Sequence, residues 1–130
     1  MSEQHIINHC GLKILRSTHP EVRKIKRLQQ GHSAHGNKVW RSSFALIDYL
    51  ETYPFKAKSK VLEIGCGWGL SGLFLTKNQD VNVTGIDIDS SVQPYFELQN
   101  SINGCEVEFQ ERSFETLYEN ELNDYQYIIG

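Results

Sequence analysis

Residues 61–130 alternate between short apolar runs and stretches whose apolar residues recur at helical spacing. Residues 61–64 form a nearly continuous apolar run that ends in glycines, which is typical of a central parallel strand covered on both faces. The following stretch predicts a helix with one buried face, formed by Leu70, Leu73 and Phe74. Residues 81–87 predict a second strand, so the segment begins as a strand-helix-strand unit.

The same alternation continues to the end of the chain. A second helix is predicted to end at Asn103-Gly104, and its buried residues are Val92, Tyr95, Phe96 and Ile102. Residues 105–110 alternate strictly between apolar and polar, and their two outward glutamates suit a protected edge strand. A third helix with Phe114, Leu117 and Tyr118 and a fourth strand at residues 125–129 follow. This order predicts a doubly wound, mostly parallel α/β sheet.

The first 60 residues read as a mostly helical extension of that domain. Residues 5–16 contain two short β-prone runs around Gly11, which predict either a hairpin or an irregular arm. Residues 20–30 predict a helix that begins at Pro20 and ends before Gly31, with an apolar stripe of Val22, Ile25 and Leu28. Residues 39–52 predict a second helix, with a buried face of Trp40, Phe44, Ile47 and Leu50.

Composition places the chain among soluble globular domains. It has 130 residues, of which 39% are hydrophobic and 22% charged, and no apolar run approaches the length that spans a bilayer. Its three cysteines are odd in number and form no Cys-x-x-Cys pair, so we expect neither a disulfide framework nor a zinc ribbon. We therefore expect a cytoplasmic protein with no membrane partner.

The net charge of -3 conceals an uneven distribution. Residues 1–60 hold eleven lysines and arginines against four acids, whereas residues 61–130 hold two against twelve. Either the two halves complement each other within the fold or between subunits, or the basic helix from Pro20 is a docking surface for an acidic partner such as RNA. The pattern alone favours the first interpretation.

The strongest chemical signal is the spacing Glu63-x-Gly65-x-Gly67-x-Gly69 directly after the first strand of the sheet. Glycines there let the backbone turn sharply and let a nucleotide-like ligand approach main-chain atoms. The pattern departs from the dinucleotide Gly-x-Gly-x-x-Gly spacing, because Leu70 occupies the place of the third glycine, and this disfavours an NAD-dependent oxidoreductase. Asp87 ends the second strand, where an acid can accept hydrogen bonds from ribose hydroxyls.

These residues resemble the class I, Rossmann-like S-adenosylmethionine-dependent methyltransferases, through residues 63–69 and Gly85-Ile-Asp87-Ile-Asp89. The resemblance covers residues 60–130. A looser match at residues 37–43 is similar to the seven-β-strand protein methyltransferases, which often modify lysine. The resemblance implies that S-adenosylmethionine is the cofactor and S-adenosylhomocysteine the product.

The resemblance also implies a role for individual residues. Glu63 would orient the glycine loop or the methionine amino group, and Asp87 would hold the ribose. The methionine and ribose would be lined by Gly65, Gly67 and Gly69, with Cys66 as a small packing residue whose main chain faces the cofactor. The adenine would pack on Ile88, and Trp40 would close over the cofactor. These families commonly place an acid after the third strand, often beside a tryptophan; this chain has Ser113 and Phe114 there, so stacking by Phe114 fits the comparison and an acidic contact does not.

The acceptor and the catalytic residues are not defined by these motifs. A protein side chain is the favoured acceptor, with RNA and small molecules as alternatives, and a non-catalytic binding or assembly module is the alternative outside enzymes. We expect residues 1–130 to be the cofactor-binding part of a longer domain, to bind cofactor weakly or not at all, and to be inactive alone. We further expect an exposed edge at residues 125–129 that pairs with a second copy as a homodimer.

Metal-ligating residue types crowd the first 35 residues, namely His5, His9, Cys10, His19, His32 and His35. They show no recognised ligand spacing, so we interpret the histidines as loop residues and expect no metal site. Cys66 in the glycine loop could be read as a nucleophile, but a packing role is the better interpretation.

Overall fold

A parallel sheet with helices on its faces forms the centre of the structure, a computed structural model that describes residues 3–29 and 41–130. Within those residues the sheet has four strands in the order β5-β4-β3-β6. The elements in chain order are β1 (Ile6–His9), β2 (Leu12–Leu15), α1 (Pro20–Gln29), α2 (Arg41–Thr52), β3 (Lys60–Ile64), α3 (Leu70–Gln79), β4 (Asn82–Asp87), α4 (Gln93–Ile102), β5 (Glu108–Glu111), α5 (Glu119–Leu122) and β6 (Tyr127–Ile129). The α/β prediction is confirmed.

The strand β3 lies between β4 and β6 and pairs in parallel with both. Leu62 lies opposite Thr84 on one side and Ile128 on the other. Val61 and Leu62 are fully buried, which explains the nearly continuous apolar run. Because the strands are parallel, the loops after β3, β4 and β5 leave the sheet at the same edge.

The strand β5 lies at the sheet edge, as predicted, but it begins at Glu108 rather than at residue 105. The residues before it bond to α4 instead of the sheet. The Val107 amide donates to the Asn100 side-chain carbonyl at 2.7 Å, and the Cys105 amide donates to the Asn100 backbone carbonyl at 3.0 Å. A single asparagine near the end of α4 therefore accepts hydrogen bonds from the backbone amides that a longer β5 would use for pairing in the sheet.

The predicted helix with Phe114, Leu117 and Tyr118 is wrong. The structure has a 3₁₀ turn at Phe114–Thr116 and then the one-turn helix α5. Tyr118 is extended, with φ -93° and ψ 156°, and Glu121 bonds back to its amide as in a capping box. Phe114 and Tyr118 are exposed rather than buried. The side chain of Arg112 holds this irregular segment together through Thr116 and Glu121.

The N-terminal segment is a β-hairpin rather than an irregular arm, and it belongs to the core. Leu12, Ile14 and Leu15 are buried in the same apolar cluster as α3 and the sheet. Two amide side chains, Gln99 on α4 and Asn103 directly after it, satisfy the free backbone edge of β2. Gln99 accepts from the Leu15 amide at 2.9 Å and donates to the Lys13 carbonyl, and Asn103 pairs with both backbone groups of Lys13.

The helices of the first half match their predicted positions in outline. The helix α1 buries Val22, but Leu28 is 73% exposed, so the predicted three-residue stripe is wrong at its end. Basic side chains on α1, namely Arg23, Lys24 and Arg27, are exposed, which leaves their interpretation as a docking surface a prediction. The helix α2 buries Ile47 and Leu50, whereas Gly31, Val39 and Trp40 lie outside the described residues.

Among the described residues, no helix has the length and apolar character needed to cross a membrane. All three cysteines fall within the described ranges, and none forms a disulfide.

Candidate cofactor-binding site

The loop after β3 is built from glycines in the left-handed backbone region. Gly65, Gly67 and Gly69 have φ of 65°, 54° and 77°, a conformation that side chains disfavour. The loop is short because the Gly69 amide donates to the Cys66 carbonyl at 2.8 Å, and α3 begins at the next residue. The N-terminus of α3 therefore lies at the carboxyl edge of the sheet, as in nucleotide-binding α/β folds.

The three glycines differ in what a side chain would meet. A Cβ at Gly65 or Gly67 would have no atom within 4 Å, so open space lies in front of both. A Cβ at Gly69 would collide with the ring of Phe96 on α4. The missing Cβ of Gly69 thus makes room for the packing of α4, whereas the prediction that all three glycines line the cofactor stays a prediction.

Asp87 connects the glycine loop to the loop after β4. One carboxylate oxygen accepts from the Gly67 amide at 2.9 Å, and the other accepts from the Asp89 amide at 2.9 Å. A carboxylate has about four acceptor positions, so Asp87 can hold both loops and still accept two hydroxyl groups. This arrangement is the strongest structural feature of the site.

Glu63 lies behind the loop rather than beside open space. It is 7% exposed, and its Oε1 accepts from the Gly72 amide in the first turn of α3 at 3.2 Å. The pKa of this carboxyl is raised to about 8, chiefly by burial; the hydrogen bond from Gly72 lowers the pKa, and the charge of Asp87 raises it. Glu63 therefore contacts the first turn of α3, directly after the glycine loop, and both roles predicted for it, orienting the loop and contacting the methionine amino group, stay predictions.

Cys66 and Trp68 are packing residues. Cys66 is 6% exposed, and its sulfur lies where a Cβ of Gly85 would be, so the glycine in β4 is needed for close contact with the loop. Burial raises the pKa of the Cys66 thiol well above its usual range, which keeps the thiol protonated and argues against a nucleophile. The Trp68 indole stacks on Tyr95 with ring centroids 4.9 Å apart. The packing role of Gly85 could not be identified from the sequence and is visible only in the folded structure.

The adenine-contact candidates lie on neighbouring loops. Ile88 follows β4 and is 71% exposed, and Phe114 follows β5 and is 60% exposed. The two loops are joined, because the Arg112 amide donates to the Asp87 carbonyl at 3.1 Å. Ser113 lies between Arg112 and Phe114, and its hydroxyl accepts from the Glu115 amide, so it caps the turn. Two exposed apolar side chains beside Asp87 are suited to the faces of an adenine ring.

Sequence reasoning missed Arg112 and Gln29. Arg112 pairs with Glu121 at 3.0 Å and so fixes the turn that carries Phe114. Gln29, the last residue of α1, donates to the Ser91 carbonyl and accepts from the Tyr95 hydroxyl, which ties α1 to the segment after β4. Neither residue belongs to a motif, so only the tertiary structure reveals them. The predicted lid residue Trp40 lies outside the described residues.

The N-terminal histidines are not all loop residues. His9 belongs to β1, and its ring lies against Asp48 on α2 with the neighbouring Cys10. Desolvation of the Cys10 thiol and its contacts with Glu51 and Asp48 raise its pKa to about 11. His32 and His35 lie outside the described residues.

Comparison with known proteins agrees with this geometry. Residues 61–130 match the family described as "Methyltransferase domain". Phosphoethanolamine N-methyltransferase of Triticum aestivum is 34% identical over 64 residues, covering 48% of this chain and 12% of that protein. Histidine protein methyltransferase 1 homolog of Bos taurus is 34% identical over 77 residues, covering 58% of this chain and 21% of that protein. The chain thus spans a small part of the length of either relative.

Solved structures show the same fold. A putative S-adenosyl-L-methionine-dependent methyltransferase from Methanococcus maripaludis superimposes with a TM-score of 0.50 at 10% identity, covering 74% of this chain and 42% of that one. The likeness extends beyond the matched family segment into the N-terminal half. Together with the family match to more than half of its residues, these features show that the chain belongs to the methyltransferase domain family, as a class I S-adenosylmethionine-dependent methyltransferase.

Proposed function

We propose that this methyltransferase modifies a side chain presented by a basic peptide or protein. The observation that carries the proposal is the charge of the segment that contains the site. Residues 61–130 contain two cations, Lys77 and Arg112, against twelve acids. Arg112 is paired with Glu121, and Lys77 lies in the last turn of α3, at the end of the helix away from the glycine loop. Within residues 61–130, a phosphate would find no unpaired cation at the carboxyl edge of the sheet.

The acids themselves favour a cationic acceptor. Glu111, Glu115 and Glu119 are exposed on and after β5, next to the loop that carries Phe114. A cluster of like charge attracts substrates of opposite charge and repels phosphates. The match to a relative named as a histidine protein methyltransferase agrees with this proposal. The match to relatives named as phosphoethanolamine methyltransferases supports the competing proposal of a small-molecule acceptor.

The site residues contribute binding and alignment. Asp87 would accept the ribose hydroxyls, Ile88 and Phe114 would contact adenine, and the space in front of Gly65 and Gly67 would admit the methionine part. The cofactor supplies a methyl group already activated by its sulfonium. The protein then has to hold the acceptor in line with that methyl group and exclude water.

We also propose that residues 1–130 alone bind cofactor weakly and do not turn over, and that the protein is cytoplasmic. The matched part covers 12% of one relative and 21% of another, so those enzymes carry much further structure. The three free cysteines suit a reducing compartment.

The acceptor is tested with radiolabelled S-adenosylmethionine and the full gene product. Three acceptors are compared, namely a pool of basic peptides containing lysine and histidine, phosphoethanolamine, and transfer RNA. We expect label in the peptides, and much less label at subsaturating cofactor when Asp87→Ala is used. Transfer to phosphoethanolamine or RNA without transfer to peptides would overturn the proposal.

A further inference from the structure

Metal-ligating side chains from two distant parts of the chain meet at the tip of the N-terminal hairpin. The candidate ligand atoms of His9, Cys10 and Asp48 all lie within 4.8 Å of one another. His9 Nε2 is 2.8 Å from Asp48 Oδ1, and Cys10 Sγ is 3.7 Å from the same oxygen. Glu51 adds a fourth candidate ligand, because its Oε1 is 3.5 Å from Cys10 Sγ.

These distances are close to those of a tetrahedral zinc site. With bonds of about 2.3 Å to sulfur and about 2.0 Å to nitrogen or oxygen, tetrahedral angles separate sulfur and oxygen ligands by about 3.5 Å and nitrogen and oxygen ligands by about 3.3 Å. The two sulfur-to-oxygen distances already match. The pair of His9 and Asp48, now joined directly by a hydrogen bond, must open by roughly half an ångström to admit an ion.

Neighbouring contacts hold the ligand residues in place. Cys10 has a φ of 51° in the hairpin turn, and its carbonyl accepts from the Asn78 side chain at 3.0 Å. The His9 ring lies edge-on to Phe44, with centroids 5.1 Å apart. Asp48 and Glu51 are three residues apart on α2 and therefore lie on the same side of the helix. Supporting contacts of this kind orient ligands before a metal binds.

Charge and access also favour a cation. Among residues 3–29 and 41–130, no lysine or arginine forms an ion pair with Asp48 or Glu51. The two carboxylates therefore place negative charge beside a thiol and an imidazole. A surface groove of about 350 Å³ opens at Cys10 and Glu51, and Phe74 and Asn78 complete part of its wall. An ion can reach the cluster through this groove.

We propose that His9, Cys10 and Asp48, with Glu51, form a site for a divalent metal ion of the zinc class. Such an ion accepts mixed sulfur, nitrogen and oxygen ligands and would connect the hairpin to α2. Asn78, which bonds to Cys10, is at the end of α3, whereas the glycine loop is at its start. A ten-residue helix is about 15 Å long, so the metal has a structural role and takes no part in methyl transfer.

The test uses untagged protein, since a histidine tag would bind metal itself. Zinc binding is measured by calorimetry, and cobalt is used as a spectroscopic probe because a thiolate ligand gives a charge-transfer band. The variants are Cys10→Ser and Asp48→Asn, with Cys105→Ser as the matched control for another partly exposed cysteine. We expect one equivalent of metal, a thiolate band in the unmodified protein and in Cys105→Ser, and its loss in Cys10→Ser. Each of the two ligand variants should weaken zinc binding by more than about tenfold.

A thermal-melting arm distinguishes ligation from a purely structural hydrogen-bond cluster. Zinc should raise the Tm of the unmodified protein and of Cys105→Ser but leave the Tm of Cys10→Ser unchanged, even if that variant is less stable in the absence of metal. Absence of stoichiometric binding, or equal zinc affinity in the unmodified protein and Cys10→Ser, would overturn the proposal. Because no step uses the cofactor, this result is independent of the acceptor assay.

Discussion

The carboxylate of Asp87 accepts a hydrogen bond from the Gly67 amide at 2.9 Å, so the acid predicted to hold a ribose also fixes the glycine loop. Sequence spacing suggested that the two residues would serve the same ligand. The structure adds a direct contact between them, because parallel pairing of β3 and β4 brings the ends of both strands to one edge. The predicted ribose contact and the geometry of the glycine loop would therefore be coupled through one side chain.

That coupling predicts different behaviour for two substitutions at the same position. Asp87→Ala removes the ribose contact and the loop contact, and should weaken binding of S-adenosylmethionine by roughly 10- to 150-fold in the full gene product. Asp87→Asn keeps one carbonyl acceptor for the Gly67 amide and should lose less affinity for S-adenosylmethionine. Calorimetric titration of the three proteins measures the difference, and equal affinity for all three would remove Asp87 from the site.

Alanine substitutions distinguish a loop glycine that faces open space from one that packs against Phe96. Gly67→Ala introduces a Cβ into open space, so the protein should fold with a cost of about 1 kcal/mol for the left-handed backbone and should lose cofactor affinity. Gly69→Ala has a similar backbone cost, but its Cβ meets the Phe96 ring and should cost a further 1 to 3 kcal/mol, roughly. Urea unfolding and cofactor titration check the pair.

A second substitution tests the reason for the difference. Phe96→Leu removes the ring atoms that a Cβ at residue 69 would meet, so it should recover part of the stability lost in Gly69→Ala. The same change should not rescue cofactor binding in Gly67→Ala. Additive effects of Phe96→Leu and Gly69→Ala would contradict the packing explanation.

Sequence patterns predicted the local features of this site and missed its long-range contacts. The buried strand β3, the loop glycines and Asp87 are close in the sequence and follow from hydrophobic runs and spacing. The different role of Gly69 depends on Phe96, which belongs to another helix. The cluster of His9, Cys10 and Asp48 likewise depends on how α2 packs on the hairpin, which no spacing rule describes. The irregular turn after β5 replaced a predicted helix because Arg112 binds it from the side.

Glu63 should make stability depend on pH in a direction opposite to that of most acids. The pKa of Glu63 is about 8 in the folded state, against an ordinary value of 4.5, so the folded state keeps a proton that the unfolded state has released. Between these pH values the unfolded state binds fewer protons, and the free energy of unfolding therefore falls as pH rises, by up to about 1.4 kcal/mol per pH unit. Above about pH 8 the contribution of Glu63 to the free energy of unfolding stops changing.

Glu63→Gln tests this prediction, because the amide cannot ionise and its carbonyl can still accept from Gly72. The free energy of unfolding of the variant should not show the part of the decline between about pH 4.5 and pH 8 that Glu63 causes. The variant should therefore be more stable than the unmodified protein at pH 9. Urea unfolding at pH 5, 7 and 9 measures both curves. A constant difference between the two proteins at all three pH values would show that Glu63 does not titrate there.

The hairpin should depend on one buried amide. Gln99 is 1% exposed and satisfies the Leu15 amide and the Lys13 carbonyl of β2. Gln99→Met has a similar volume but leaves both groups without a side-chain partner, which should destabilise the fold by about 2 to 5 kcal/mol. Glu97→Met, on the exposed side of the same helix, is the control and should change stability by less than about 0.5 kcal/mol. If the two variants unfold at the same urea concentration, the amide contacts are not important.

The free edge of β6 should control self-association of residues 1–130. Within the described residues β6 pairs with β3 alone, so its other side has no strand partner, and Ile128 is 48% exposed beside it. An unpaired, apolar edge favours pairing with another chain, most simply as a twofold dimer. Light scattering should therefore show a dimer or larger species for residues 1–130. Ile128→Lys should shift the species toward monomer, because a charged side chain opposes the pairing of two such edges. Ile88→Lys, which changes an exposed isoleucine at the carboxyl edge of the sheet, should not have this effect.

A radiolabelled methyl-transfer assay on the same samples, beside the full gene product, should show no turnover by residues 1–130. A monomer of residues 1–130, or equal dissociation by both lysine variants, would show that the β6 edge does not govern assembly. Turnover by residues 1–130 would contradict their predicted inactivity.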